Sequence, residues 1–247
     1  MSTMRTLSAI AAALVALPFA GQPARAGDAA TVEVLGFSAD GGIFAFEEHG
    51  VQDGSGFPYA NRFYIDTAGD DFLPGTPIRV RIDDEGATVE TARAEARDRG
   101  QSVISDAVLA ENPGFAVGMN AVTELSADPF RIAVNPRPVF PPIDDPLEFR
   151  LEEINVGAPD RCKDLGDVKG LRLIRVATAP GSEARLVHED SDIPQSRGCP
   201  LGYSLAGVQT FFPQAGEPVF AVMIAVRSFG FEGPDHRFMA VTGRLGD

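Results

Sequence analysis

Alternation of apolar and polar residues at every second position is the dominant pattern along this chain. Val32 and Val34 alternate with Thr31 and Glu33, and Ile78, Val80 and Ile82 with Arg79 and Arg81, as in strands that bury one face. Similar short runs fall at 43–46, 63–65, 131–134, 147–151, 171–176, 203–212 and 238–242. The run at 219–226 is apolar throughout, which predicts a central strand covered on both faces. Turn residues separate the runs, as in Asp40-Gly41-Gly42, Asp53-Gly54-Ser55-Gly56 and Pro180-Gly181-Ser182. The fold class predicted is mainly β, built of antiparallel hairpins or a sandwich.

One segment follows a different period. From Thr88 to Glu111, Val89, Ala92, Ala96, Gly100, Val103, Ala107 and Ala110 recur every three or four residues, predicting one inserted α-helix near 88–111. Thr88 caps its start, Glu95 and Arg99 pair across one turn, and Asn112-Pro113-Gly114 ends it. Gly100 sits on the small-residue stripe, where it lets the helix approach a sheet closely; a break into two helices there is the alternative. Five prolines between Asn135 and Pro146 predict an extended connector between lobes 27–135 and 147–247 of a single domain, the two lobes sharing one core. An aspartate followed, after three residues, by hydrophobe-Ala-hydrophobe occurs at Asp40, Asp128 and Asp235; recurrent Asx-turn chemistry explains it better than a true repeat.

Residues 1–26 read as a secretory signal peptide. Arg5 is followed by an uncharged stretch from Leu7 to Ala20, and Ala24-Arg25-Ala26 is a cleavage signature. That stretch is shorter than the roughly 20 residues a membrane-spanning helix needs, so the expected product is exported, begins near Gly27, and lies in the periplasm or beyond the cell without a membrane span. The chain carries 21 basic and 35 acidic residues, a net charge of −14, and loses Arg5 and Arg25 with the leader. An acidic surface repels phosphate backbones, and nucleic acid is not an expected partner. Cys162 and Cys199, the only two cysteines, predict one disulfide in an oxidising compartment.

Candidate chemistry is sparse. The cluster Asp53, Ser55 and Tyr59, followed by Asp66, Asp70 and Asp71, offers hard oxygen ligands of the kind Ca²⁺ takes, but neither EF-hand nor nonapeptide spacing is present and solvated hairpin turns are the favoured reading. No cofactor is expected. His49, His188 and His236 belong to no zinc or protease motif: His49 is placed at a strand end, His188 in an acidic run and His236 in a turn. Asp190, Asp192 and Arg197 surround Cys199 in a disulfide-anchored loop whose arginine fork also suits a carboxylate ligand. The candidate binding residues are therefore Asp53, Ser55, Tyr59, Asp190, Asp192 and Arg197, with no catalytic or metal residue assigned.

The segments running from Gly36 to Glu48, Asp53 to Gly56, Ser196 to Pro200 and Gly230 to Asp235 resemble a bacterial family of predicted secreted proteins of unknown function, DUF2259. The resemblance spans most of the mature chain and implies secretion and a shared architecture, but no activity. A narrower resemblance, carried by Phe37-Ser38-Ala39-Asp40-Gly41 and Phe63-Tyr64-Ile65-Asp66, is to one blade of TolB-like propellers, and implies a blade-like antiparallel hairpin. Three functions stay open: a binding or interaction module for an envelope protein or small ligand, which is favoured; a cell-envelope hydrolase built from scattered Asp, His and Ser residues; and a Ca²⁺-stabilised structural protein. A cleft that gathers His188 or His236 with a carboxylate and a serine would favour the hydrolase.

Overall fold

A computed structural model describes residues 27–178, 181 and 183–246; the segment 1–26, expected to be a signal peptide, and part of the Pro180-Gly181-Ser182 turn lie outside the described residues. Thirteen strands form three antiparallel sheets. The first contains β1 (Thr31–Phe37), β2 (Ile43–Val51), β3 (Pro58–Asp66), β4 (Asp71–Phe72) and β5 (Ile78–Arg81), with β4 and β5 both pairing β3. The chain then forms two helices, α1 (Val89–Gly100) and α2 (Asp106–Glu111), before adding β6 (Phe115–Met119) to the central sheet. Next come β7 (Arg131–Val134), β8 (Leu147–Ile154), β9 (Gly170–Val176) and β10 (Arg185–Glu189), a sheet in which β7 and β8 pair across the proline-rich stretch. Finally β11 (Pro200–Phe211), β12 (Val219–Ser228) and β13 (Asp235–Arg244) complete the central sheet in the order β13-β12-β11-β6.

The central sheet is covered on both faces. Odd positions of β12 such as Val219, Ala221 and Met223 meet Phe44, Phe46 and Phe63 of the first sheet. Even positions such as Phe220, Val222 and Ile224 meet Phe149, Leu151 and Leu173 of the other outer sheet. Every residue from Val219 to Val226 is buried, as the uninterrupted apolar run requires. Strand β8 shows the contrast: Leu147, Phe149 and Leu151 are buried while Arg150 and Glu152 face solvent, because its sheet has only one covered side.

The helices form a fourth layer on the outside of the first sheet. Ala92 and Ala96 pack on Ala60 and Val80, while Leu109 packs on Ala45 and Tyr64. Thr88 caps α1 through its side chain, as read from the sequence. The single helix over 88–111 is a correction, since residues 101–105 separate two helices and Ser105 caps the second by accepting from the Val108 N–H. The break lets Asp106 reach Arg62 while Leu109 still reaches the core. Gly100 lies where the approach is closest: a Cβ there would sit 2.1 Å from the Tyr64 hydroxyl. Likewise Gly36, at φ +128°, forms a bulge against β2 where a Cβ would sit 2.2 Å from the Leu109 carbonyl oxygen. His236 lies in β13 rather than in a turn, because its backbone pairs with Ala30 and Asp28. Asp40 and Asp128 do accept backbone N–H groups two residues on, from Gly42 at 3.0 Å and Phe130 at 2.8 Å, whereas Asp235 accepts from Asp28 instead.

A buried ion network fastens the helices. Arg62 donates from Nε to Glu47 at 2.7 Å and from both terminal nitrogens to Asp106 at 2.8 and 2.9 Å. Its side chain is 2 % exposed and that of Glu47 is 0 % exposed. Arg93 of α1 also binds Glu47, and Glu33 on β1. Replacing Arg62 by Met would leave the buried Glu47 with Arg93 as its remaining cation and take from Asp106 its bidentate partner, and we expect a loss of about 3 kcal/mol in urea unfolding. The Cys162–Cys199 disulfide, with Cα atoms 5.5 Å apart, ties the β8–β9 connection to the start of β11. Cross-linking 37 positions apart should contribute about 3–4 kcal/mol, so reduction should lower the melting temperature by several degrees in a thermal scan.

Candidate functional site

The β2–β3 pair carries polar partners on both faces. Glu47 and Arg62 are opposite one another toward the helices, and Glu48 and Asn61 are opposite one another toward the central sheet. Glu48 shares the parity of Phe44 and Phe46 and is correspondingly 2 % exposed. It accepts from Asn61 at 3.0 Å and from the Phe238 N–H of β13 at 2.7 Å. Burial pushes the Glu48 carboxyl above its ordinary range despite these donors.

Beyond Glu48 the first sheet diverges from the edge of the central sheet, leaving a cleft of about 360 Å³. The apolar residues that face it are Phe63, Ile65 and Phe72 of the first sheet and Phe238 and Ala240 of β13. Arg79 enters from β5, with its guanidinium carbon 5.5 Å from the Phe63 ring centroid. Its polar partner is the Ser196 carbonyl at 3.1 Å, and no carboxylate pairs with it among the described residues. Arg237, also on the lining, is committed instead to Asp28 at 2.5 Å and lies 4.7 Å from the Tyr59 ring centroid.

The far wall is the loop that leads to Cys199. Arg161 Nη2 holds this loop by donating to the carbonyls of Ile193 at 2.7 Å and Pro194 at 3.1 Å. Arg197 pairs with Asp190 and donates to the Tyr203 hydroxyl at 3.3 Å. Desolvation pushes that Tyr203 hydroxyl up to about 12, outweighing the nearby Arg197. Asp190 is buried and also accepts from the Leu171 N–H at 2.8 Å. Burial alone would raise its carboxyl, but the bonds to His188 and Arg197 hold it below its ordinary value.

His188 joins all three sheets at this cleft. Its Nε2 lies 3.1 Å from Asp190 and its Nδ1 3.3 Å from Asp70 in the β3–β4 turn. Asp70 in turn accepts from the Thr242 N–H of β13 at 2.7 Å. The bonds to Asp190 and Asp70 push the His188 imidazole up to about 9, so at neutral pH it is an imidazolium donating from both nitrogens. Ser196 and Ser228 line the same cleft, yet neither is hydrogen-bonded to His188. A ring held in this way has no free lone pair with which to take a proton from a serine.

Of the residues singled out from the sequence, Arg197 lines the cleft, with Asp190 behind it, and Tyr59 lies in the adjoining groove with Arg79 and Arg81. Asp53 accepts the Glu232 N–H at 2.7 Å and Ser55 donates to Gln52 at 3.0 Å; both belong to the β2–β3 turn, outside the cleft. Asp192 is exposed and also outside it. Arg79, Glu48 and His188 were not singled out for binding. Glu48 had a legible signal in its parity with two phenylalanines, whereas Arg79 reads as the solvent side of an ordinary amphipathic strand. Among the described residues no group of three or more His, Cys, Asp or Glu side chains is placed to hold a metal ion, and no helix is long and apolar enough to cross a membrane.

The segments compared with a propeller blade belong to an antiparallel pairing of β2 and β3, with Phe44 opposite Ile65 and Ala45 opposite Tyr64, which does not establish a propeller. No curated protein and no solved structure matches the chain. A family model described as "Predicted secreted protein (DUF2259)" matches residues 45–244, a span that contains every residue lining the cleft, and the chain belongs to that family of predicted secreted proteins.

Proposed function

We propose that this chain is an exported binding module, cleaved after Ala26, and that its site is the cleft between the first sheet and the free edge of the central sheet. One observation carries this reading: an apolar pocket of about 360 Å³ opens beside Arg79, a guanidinium with no carboxylate partner among the described residues. Sites for small molecules combine apolar walls with a few polar groups in this way, at volumes of roughly 300–1,000 Å³. The hydrolase reading has His188, Asp70 and two serines in the same cleft. It lacks a free base, because carboxylates take both imidazole nitrogens.

The test is a panel of small organic compounds and envelope extracts, followed by thermal shift and native mass spectrometry. A ligand present at about 100 times its Kd should stabilise the protein by about 2.7 kcal/mol, several degrees in melting temperature. Asp71→Trp should abolish that shift, since Asp71 is an exposed residue on the cleft lining without a side-chain hydrogen bond and the indole would fill the space. Turnover of esterase, peptidase or glycosidase substrates that disappears in His188→Gln would overturn the reading.

The same substitution measures what His188 does for the fold. Because its folded-state value of about 9 lies above the ordinary 6.5, its stabilisation is fully present below about pH 6.5 and is lost as pH rises through 9. His188→Gln should therefore cost about 2 kcal/mol at pH 6, allowing for solvent screening, and little at pH 10, as read by urea unfolding across that range.

A further inference from the structure

On the outer edge of β13 the N–H groups of His236, Phe238 and Thr242 are bonded, whereas that of Ala240, between the last two, is not, and Ala240 lies in the cleft. The His236 N–H donates to the Asp28 carbonyl at 2.8 Å, and its own carbonyl accepts from Ala30 at 3.0 Å. The Phe238 N–H donates to Glu48 at 2.7 Å, and the Thr242 N–H to Asp70 at 2.7 Å. These groups all point away from β12. Pairing between β12 and β13 runs without a register shift from Asp235 to Arg244, so the N–H of Ala240 points the same way. It has no hydrogen-bond partner among the described residues, although Ala240 is buried and lines the cleft. A buried donor without an acceptor is costly, and its neighbours on either side are each supplied with a carboxylate oxygen.

We propose that the cleft, taken as the binding site argued above, holds a small amphiphilic monocarboxylate whose acid group occupies this gap. One carboxylate oxygen accepts the Ala240 N–H, as Glu48 and Asp70 accept those of Phe238 and Thr242. The charge is neutralised by Arg79, and the hydrocarbon part lies against Phe63, Ile65 and Phe238. An extended peptide adding to this edge would need successive free backbone groups, but positions 236, 238 and 242 are already bonded. A buried donor without an acceptor, in the same cleft as a guanidinium that pairs with no carboxylate among the described residues, fits a terminal acid group. The cavity, at the low end of small-molecule sites, fits a short chain or one ring.

Isothermal titration of the chain from Gly27 to Asp247 with octanoate, octanol and octyltrimethylammonium tests the proposal, together with the chemical shift of the Ala240 amide. Octanoate should bind at least about ten-fold more tightly than octanol, Arg79→Gln should erase that difference, and the Ala240 amide proton should move downfield with octanoate alone. Octanol binding as tightly as octanoate, or a preference that survives in Arg79→Gln, would overturn the carboxylate assignment. In that outcome, binding of octanol that Asp71→Trp abolishes would leave the cleft as a binding site. Absence of binding by any of the three amphiphiles also rejects the assignment, while a different ligand from the panel above, blocked by Asp71→Trp, would still support the module.

Discussion

Burial of β12 on both faces is the constraint from which the rest of the architecture follows. A strand without a polar face is stable only with apolar layers above and below it, and each of its large side chains contributes roughly 1.5–3 kcal/mol when buried. One covering sheet comes from the residues before the helices and the other from those after β6. The chain therefore has to cross the central sheet between building its two covers, and β6, laid along β11, is where it does so. The first cover is itself buried on both sides by the helices, which explains why β2 and β3 are almost wholly buried while β8 keeps a clean alternation.

Packing two sheets face to face leaves their edges to be managed. An exposed edge strand is a template for unwanted pairing, and here β13 is blunted without a further strand of any length. Carboxylates project from the first sheet onto its N–H groups: Glu48 to Phe238 and Asp70 to Thr242. Asp70 is held in place by His188, which is held by Asp190, which is held by Arg197. The charged groups at the cleft thus serve the fold first. Among the described cations that line the cleft, Arg79 stands apart in having a carbonyl and no carboxylate as its hydrogen-bond partner.

Much of this architecture was legible in the residues. Each of the ten runs read as strands coincides with an observed strand, eight of them wholly and those at 78–82 and 203–212 overrunning β5 and β11 by one residue; the 219–226 run is central, and the disulfide joins Cys162 to Cys199. Strands β4, β6 and β10 lie outside those runs because each is short: β4 has two residues, β6 five, and β10, bracketed by Arg185 and Glu189, finishes a sheet edge rather than burying a face. The helix break at Gly100 was the second of two readings, because periodicity records which side chains face inward but not where the axis turns; the turn brings Asp106 to Arg62, 44 residues away. The cleft was the least legible part. Its components come from β3, β5, β13 and the loop before β11, and only register, a property of pairing between distant segments, brings them together.

The loop from Asp190 to Cys199 is stabilised differently from the layers it leans on. Ile193 is its one buried apolar side chain besides the flanking cysteine cluster, and its position otherwise depends on the covalent tie, on Arg161 gripping its carbonyls and on Arg197. Segments with few buried apolar contacts open at lower free energy than the core beneath them. The amides of this wall should accordingly belong to a separate, earlier-opening unit than those of β12, so that the cleft gains and loses one side while the three-sheet stack remains folded.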